Sequence, residues 1–222
     1  TVPCVENKNE VTLVGTHLEE QVINNINDNN NFHEVLKFNL PKELKIKTFD
    51  HFQNILKTKP DLIVIGVSSK GIEWAANELS KNLDKNTKIL LLTKGLTIID
   101  DKFETLVEKF KLILNKNKVK NVNISAVAGP CLASGLANKI KSSVVIANKD
   151  KSIAQEIGDM ITTNYYSVEV SDDLIGVEVC AAIKNLYSMI IGASEGLSSN
   201  EASKELKNKY FLNTAASLMY RS

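Results

Sequence analysis

Cysteine is scarce in this sequence, with Cys4, Cys131 and Cys180 the only three in 222 residues. Their number is odd and none forms a CxxC pair, so neither a disulfide framework nor a zinc site is indicated. We therefore expect no bound metal, and free thiols fit a reducing, cytoplasmic location. The sequence also opens without a basic, apolar and small-residue series, so we expect no signal peptide.

An excess of charge of one sign is also missing. Lys and Arg total 27 and Asp and Glu total 26, so no basic surplus is available to neutralise a phosphate backbone. Nucleic acid is therefore not expected as a partner. A small anionic ligand stays possible, because it needs only one or two local positive groups. The composition, 43% hydrophobic and 24% charged, is ordinary for a globular protein.

Short apolar runs alternate with amphipathic stretches along most of the chain. The predicted strands are residues 11–14, 61–67, 88–93, 124–128, 144–147 and 166–170, and the predicted helices are residues 72–83, 103–114 and 153–161. This alternation predicts an α/β fold with a mainly parallel sheet and helices on both faces. The two continuous apolar runs, 61–67 and 88–93, indicate strands covered on both faces. Ligands of such sheets bind at the carboxyl ends of the strands.

The pattern changes after Asp172, where residues 174–193 are apolar on almost every side of a helix. Asp172 or Asp173 can cap this helix, whose length raises the question of a membrane span. Because Glu178, Lys184 and Asn185 interrupt it, we instead expect a buried helix and no membrane insertion. We therefore divide the chain into residues 1–164, with the sheet, and residues 165–222, which begin an all-helical domain.

Two lysines and one glycine-containing segment are candidates for a catalytic or binding role. Lys184 lies in the apolar helix, where desolvation would lower its pKa toward the range of a general acid/base. Lys94 follows a predicted strand, and so does the segment 128–133 (AGPCLA), whose helix start could hold an anion. Each has a simpler explanation: Lys184 can extend to solvent or pair with an acid, and KG and GP are common in turns.

Together these segments resemble the NAD(P)-dependent glycerol-3-phosphate dehydrogenases, within the two-domain 6-phosphogluconate dehydrogenase-like superfamily. DLIVIGVSS, LLTKGL, SAVAGPCLA and DDLIGVEVCAAIKN occur in the order of the family's DLIIxAVPS, TKGL, LSGPSFA and NDDVIGVELGGALKN. The resemblance covers almost the whole chain. It implies a Rossmann-type sheet, then the start of a helical domain, in a homodimer. It also implies interconversion of dihydroxyacetone phosphate and sn-glycerol 3-phosphate with NAD(P)H, which links glycolysis to glycerophospholipid synthesis.

The resemblance also implies roles for single residues. Lys184 matches the family's catalytic lysine, which exchanges a proton with the C2 oxygen, and Asn185 matches a position that holds the substrate. Lys94 matches the lysine that contacts both substrate and nicotinamide. Gly129 and Cys131 match substrate-binding positions.

Ala133 matches a cofactor-binding position. NAD is favoured as the cofactor, because Thr16 and His17 stand after the first predicted strand, where an arginine often marks NADP. NADP stays possible. The substrate implied is a small phosphorylated molecule.

The sequence also departs from the family pattern. The family's first strand and GxGxxG turn are absent, and its later Arg-Asn motif would lie beyond Ser222. Cys131 replaces a serine, and Ser68 replaces a proline. Either the given chain omits parts of a complete enzyme, or it is a truncated, non-catalytic relative. The chain begins and stops in the middle of predicted elements, which favours the first explanation. A related two-domain hydroxy-acid dehydrogenase is the other alternative.

Overall fold

A computed structural model describes residues 1–198 of the chain. Its strands are β1 (Thr12–Val14), β2 (Phe32–His33), β3 (Phe38–Asn39), β4 (Lys45–Lys47), β5 (Leu62–Ile65), β6 (Lys88–Leu91), β7 (Leu96–Ile99), β8 (Lys102–Thr105), β9 (Ile124–Ala128), β10 (Ser142–Ala147) and β11 (Tyr166–Ser171). Its α-helices are α1 (Val2–Glu6), α2 (Glu20–Asp28), α3 (Phe52–Leu56), α4 (Ile72–Leu79), α5 (Leu106–Lys116), α6 (Ala133–Ala137), α7 (Lys151–Ile161) and α8 (Leu174–Ser198).

The main sheet has five strands in the order β11-β10-β9-β6-β5. The pairs β5–β6, β6–β9 and β10–β11 are parallel, and β9–β10 is antiparallel. A separate parallel pair joins β1 to β4. The predicted α/β class with a mainly parallel sheet is confirmed.

Central strand β6 is buried on both faces, as predicted. Ile89 and Leu91 belong to one apolar cluster with helices α4 and α5, whereas Leu90 belongs to a second cluster with helix α7. All three are at most 1% exposed. Because successive strand residues point to opposite faces, this division places helices on both sides of the sheet. Burying each such side chain contributes about 1.5–3 kcal/mol.

Strand β5 differs from its prediction. Among its residues only Ile65 is buried, and Val64 is 43% exposed. The reason is position: within the described part of the chain β5 lies at the edge of the five-stranded sheet, next to β6 alone. The continuous apolar run therefore predicted the strand correctly, but the prediction that both of its faces are covered is wrong.

The hairpin β7–β8 was missed, and the helix predicted to begin at residue 103 begins at Leu106. Asp100 and Asp101 both have positive φ, 50° and 59°, as a two-residue hairpin turn requires. Thr105 caps α5, since its hydroxyl oxygen accepts the Glu108 N–H at 3.3 Å.

Helix α8 begins where it was predicted to begin. The Asp173 carboxylate accepts the Gly176 N–H at 2.8 Å and so caps the helix. The main sheet continues to Ser171 through β11, beyond residue 164, and it is Asp172 and Asp173 that separate sheet from helix. Residues 199–222 of the predicted helical domain lie outside the described residues.

The prediction that α8 is buried is wrong for the side chains described. Leu174 and Glu178 are buried, whereas Lys184, Leu186 and Met189 are exposed. The helix packs along β9 at its start and then extends past the sheet. By length and composition alone, the segment Leu174–Ala193 could cross a membrane. Its mean hydropathy is 1.6, and 17% of its apolar window is buried inside the protein.

A buried polar group connects β9 to the end of β10. The Asn148 side chain is 5% exposed and donates to the Ile124 carbonyl (3.2 Å) and the Ser125 hydroxyl (2.8 Å). Its oxygen accepts the Asp150 N–H at 2.9 Å. These bonds satisfy polar groups inside the sheet at its one antiparallel junction.

Replacing Asn148 by alanine should destabilise the protein by about 1–3 kcal/mol, because buried polar groups lose their partners. Urea unfolding measures the change. Asn138→Ala is the matched control, since Asn138 is exposed and its side chain donates only to Ser134 of its own helix. Equal effects of the two substitutions would contradict the role assigned to Asn148.

Candidate functional site

Aromatic side chains bring together the ends of two strands and the start of a helix. His17 follows β1, Phe49 follows β4, and Trp74 lies in α4, the helix after β5. The Trp74 ring centroid lies 4.9 Å from that of His17 and 5.0 Å from that of Phe49. The carboxyl ends of β1 and β4 therefore lie beside the first turn of α4, the helix that follows β5, although the two sheets do not share a hydrogen-bonded pair.

Two hydrogen bonds continue this row of strand ends. The Thr93 hydroxyl, after β6, donates to the Val67 carbonyl, after β5, at 2.6 Å. The Lys94 ammonium donates to the Gly129 carbonyl, after β9, at 3.3 Å. The carboxyl ends of β5, β6 and β9 thus form a single edge, which is where open α/β sheets bind ligands.

The backbone at Gly129 packs so closely against residues 143 and 144 that it leaves no room for a side chain. A Cβ added there would lie 2.8 Å from the Ser143 carbonyl oxygen and 2.9 Å from the Val144 Cα. Both are backbone atoms of the neighbouring chain segment, which cannot move aside as a flexible side chain can. Glycine is therefore required for the carbonyl that accepts the Lys94 bond to sit where it does.

Helix α8 carries Lys184 toward the same edge. The open cleft beside Lys94 is lined by Ala126 and Ala128 of β9 and by Ala181 of α8, among others. Small residues on both sides let the helix lie close to the strand. Lys184 and Asn185 lie three and four positions past Ala181, so they continue its face one turn further on.

The two lysines interact electrostatically. Desolvation lowers the pKa of Lys94, and the nearby positive charge of Lys184 lowers it further, whereas Cys131 opposes the shift. Lys94 thus lies against Gly129, and Lys184 is near enough for its charge to act on Lys94. A carbonyl oxygen or an alkoxide in such a place would meet concentrated positive charge.

The other predicted positions lie around this group. Cys131 is half-buried and packs against the second apolar cluster. Ala133 is the exposed first residue of α6, and Asn185 is exposed on α8. Within residues 1–198, no three His, Cys, Asp or Glu side chains are grouped in a way that could hold a metal ion.

Sequence reasoning did not assign a role to Glu178, which lines the same cleft. Its side chain is 6% exposed, and one carboxyl oxygen accepts the Val107 N–H of α5 at 3.1 Å. The other oxygen is buried and has no hydrogen-bond partner among the described residues. The available signal was an acidic residue within an apolar helix face.

A carboxylate also stands at the end of β1. Glu19 accepts both the N–H and the hydroxyl of Thr16, each at 2.9 Å. Glu19 is exposed and lies two residues after His17 in the chain. It places negative charge at the strand end where dinucleotide-binding folds meet the adenosine ribose.

Comparisons with curated proteins give a consistent set of relatives. The chain is 28% identical over 201 residues to an NADP(+)-dependent glycerol-3-phosphate dehydrogenase of Archaeoglobus fulgidus, covering 90% of this chain and 58% of that protein. It is 28% identical over 203 residues to a glycerol-3-phosphate dehydrogenase [NAD(P)+] of Clostridium botulinum, covering 91% and 55%. The chain thus spans little more than half the length of these relatives.

Solved structures show the same fold. A glycerol-3-phosphate dehydrogenase of Plasmodium falciparum matches with a TM-score of 0.75 at 19% identity, covering 96% of this chain and 58% of that one. The enzyme from Coxiella burnetii matches with a TM-score of 0.74 at 21% identity, covering 90% and 58%.

The model of one protein family, described as the NAD-dependent glycerol-3-phosphate dehydrogenase N-terminus, matches residues 2–154. That match takes in Lys94, Gly129, Cys131 and Ala133, whereas Lys184 lies beyond it. The chain therefore belongs to the family of NAD-dependent glycerol-3-phosphate dehydrogenase N-termini.

Proposed function

We propose that this chain provides the cofactor-binding edge and the catalytic lysine of a glycerol-3-phosphate dehydrogenase. The reaction is the interconversion of dihydroxyacetone phosphate and sn-glycerol 3-phosphate with NAD(P)H. The observation that carries the proposal is the position of Lys94 at the carboxyl ends of β6 and β9, beside the cleft that α8, the helix of Lys184, also lines. The relatives' shared name supports the substrate.

The residues of this chain fit the two ends of a dinucleotide. The space at the ends of β1 and β5, beside Trp74 and His17, suits an adenosine moiety, since aromatic rings there offer stacking faces. Lys94 suits the nicotinamide end. Gly129, where a Cβ has no room, keeps the backbone at that end in place. When bound, the nicotinamide supplies the hydride.

The two lysines have different tasks in this proposal. Lys184 donates a proton to the C2 oxygen during reduction and removes it during oxidation. Lys94 stays charged and stabilises the negative charge that develops on the same oxygen. Gly129, Cys131 and Asn185 hold the substrate, and Ala133 borders the cofactor.

Glu19 favours NAD over NADP. Its carboxylate can accept a hydrogen bond from the ribose 2′-hydroxyl of NAD and would repel the 2′-phosphate of NADP. Repulsion between unit charges 4 Å apart is about 1 kcal/mol even in water. A phosphate carries more than one such charge at neutral pH.

The setting of the protein is also part of the proposal. Three cysteines without disulfide partners fit a cytoplasmic location. Exposed apolar side chains on α8, such as Leu186, Met189 and Ile190, fit packing against protein, in the same chain or across a homodimer, rather than membrane insertion. The product would supply glycerophospholipid synthesis.

Replacing Lys184 by alanine should lower kcat by about 10²–10⁴-fold, because the proton donor is lost. The substitution should leave thermal stability unchanged, since Lys184 is exposed. Oxidation of NADH with dihydroxyacetone phosphate measures kcat. Lys116→Ala, an exposed lysine in the last turn of α5, is the control. Near-normal turnover of the Lys184 variant would remove this residue from the mechanism.

Replacing Lys94 by methionine should lower kcat/KM by about 10²–10³-fold, because the charge that faces the developing alkoxide is lost. Steady-state kinetics with dihydroxyacetone phosphate provides the test. Lys120→Met, which removes an exposed lysine from the loop before β9, at the opposite end of the strand, should change little. Equal kinetics of the two variants would contradict the role of Lys94.

The kcat/KM for NADH should exceed that for NADPH by roughly tenfold or more. Glu19→Gln should reduce this ratio, because it removes the repelling charge and keeps a side chain of the same size. Glu20→Gln, at the next exposed position, is the matched control. A preference for NADPH in the unaltered protein would show the assignment of Glu19 to be wrong.

A further inference from the structure

Glu178 is the most deeply buried acidic group at the site, and the mechanism above does not use it. Its side chain is 94% buried (6% exposed), yet it belongs to the helix that carries Lys184. One carboxyl oxygen accepts the Val107 N–H at 3.1 Å. Val107 lies in the first turn of α5, so this bond joins the start of α5 to α8.

Within the described part of the chain, the second carboxyl oxygen of Glu178 lacks a well-placed hydrogen-bond donor. It is buried, and among residues 1–198 no donor meets hydrogen-bond distance and angle at this oxygen, although the Thr105 hydroxyl and the Leu106 N–H are near enough to act on the carboxyl. An ionised carboxylate with one oxygen in that condition is costly, because its charge has lost water without gaining a full set of donors. A neutral carboxyl can accept the same Val107 N–H and avoids the cost of a buried charge.

The surroundings of Glu178 act on the carboxyl in both directions. Burial raises the pKa of Glu178. Hydrogen-bond donation from the Val107 N–H, the Thr105 hydroxyl and the Leu106 N–H lowers it, and the negative charge of Glu108 raises it. The net effect is a raised pKa. The other charged groups on neighbouring elements are Lys109, Lys111 and Lys116 of α5, Lys102 and Glu104 of β8, Lys94 after β6 and, six positions further along α8, Lys184. Strands β7, β9 and β10 carry no titratable side chain.

We propose that Glu178 is a positioning residue that works as a neutral carboxyl: it fastens α8 to the first turn of α5 and thereby sets the position of Lys184 relative to Lys94. The inference rests on the proposed function for its kinetic consequence. Glu178 lies about one and a half turns before Lys184. A shift of α8 at this bond is therefore transmitted along a rigid helix to the proton donor.

Glutamine tests the neutral state directly, since it has the shape of a protonated glutamic acid and cannot ionise. Glu178→Gln should keep kcat within about threefold of the unaltered protein. Glu178→Ala, which removes the Val107 bond, should lower kcat about 10²-fold with little change in KM, because the proton donor is misplaced. Glu108→Gln, the neighbouring acid on α5, is the control and should resemble the unaltered protein.

Thermal unfolding against pH tests the same inference without any turnover. A carboxyl whose folded pKa is raised contributes stability that is present below its unfolded pKa and is lost as pH rises through the folded pKa. From about pH 4.5 upward, Tm of the unaltered protein should therefore fall relative to that of Glu178→Gln. The difference should grow by roughly 3–5 °C per pH unit until the folded pKa is passed.

The two measurements separate the two proposals. If dihydroxyacetone phosphate is not turned over, the proposed function fails, and the Tm comparison still decides the state of Glu178. A Tm difference that is constant with pH, or that favours the unaltered protein as pH rises, would overturn the neutral carboxyl. A 10²-fold loss of kcat in Glu178→Gln would overturn it as well.

Discussion

The site depends on holding two ammonium groups close together against their mutual repulsion. Lys94 donates a hydrogen bond to the Gly129 carbonyl, and its pKa is lowered first by desolvation and then by the charge of Lys184. Neither lysine is deeply buried, so both keep contact with water, which limits the cost of the pair. A ligand with negative charge, or one that develops it, would relieve the repulsion. This electrostatic arrangement is the basis on which we propose an anionic substrate or transition state.

Small residues make this proximity possible. Ala126 and Ala128 on β9 and Ala181 on α8 line the cleft and leave room for the helix to pass close to the strand. Packing is equally tight at Gly129, at the strand end, where backbone atoms of the next segment would lie within 3 Å of an added Cβ. Asn148 stabilises the same strand from the other end by satisfying polar groups between β9 and β10. The position of each lysine thus follows from backbone packing more than from side-chain contacts.

The sequence predicted the class of fold correctly, and it supplied the candidate site residues but not their surroundings. Periodicity located β6, β9, β10, β11 and α7, because a buried apolar run leaves a clear local pattern. It placed the start of α5 too early, because two aspartates with positive φ form the β7–β8 turn without a glycine to mark it. It assigned burial to α8 from composition, whereas burial depends on what packs against the helix. Lys94 and Lys184 were candidates from their positions after a strand and within an apolar helix, and the family resemblance gave them roles. Glu178 needed the structure, since its partner Val107 is distant in the chain.

The most direct test of this account is the pKa of Lys94, followed by NMR of 13C-dimethylated lysines in the full chain with and without Lys184→Met. The account predicts that the pKa of Lys94 lies below that of an ordinary lysine and rises when the charge of Lys184 is removed. The remaining depression would report desolvation alone. A pKa of Lys94 that is the same in both proteins would mean that the two ammonium groups do not share a site, and the proposed catalytic arrangement would be contradicted.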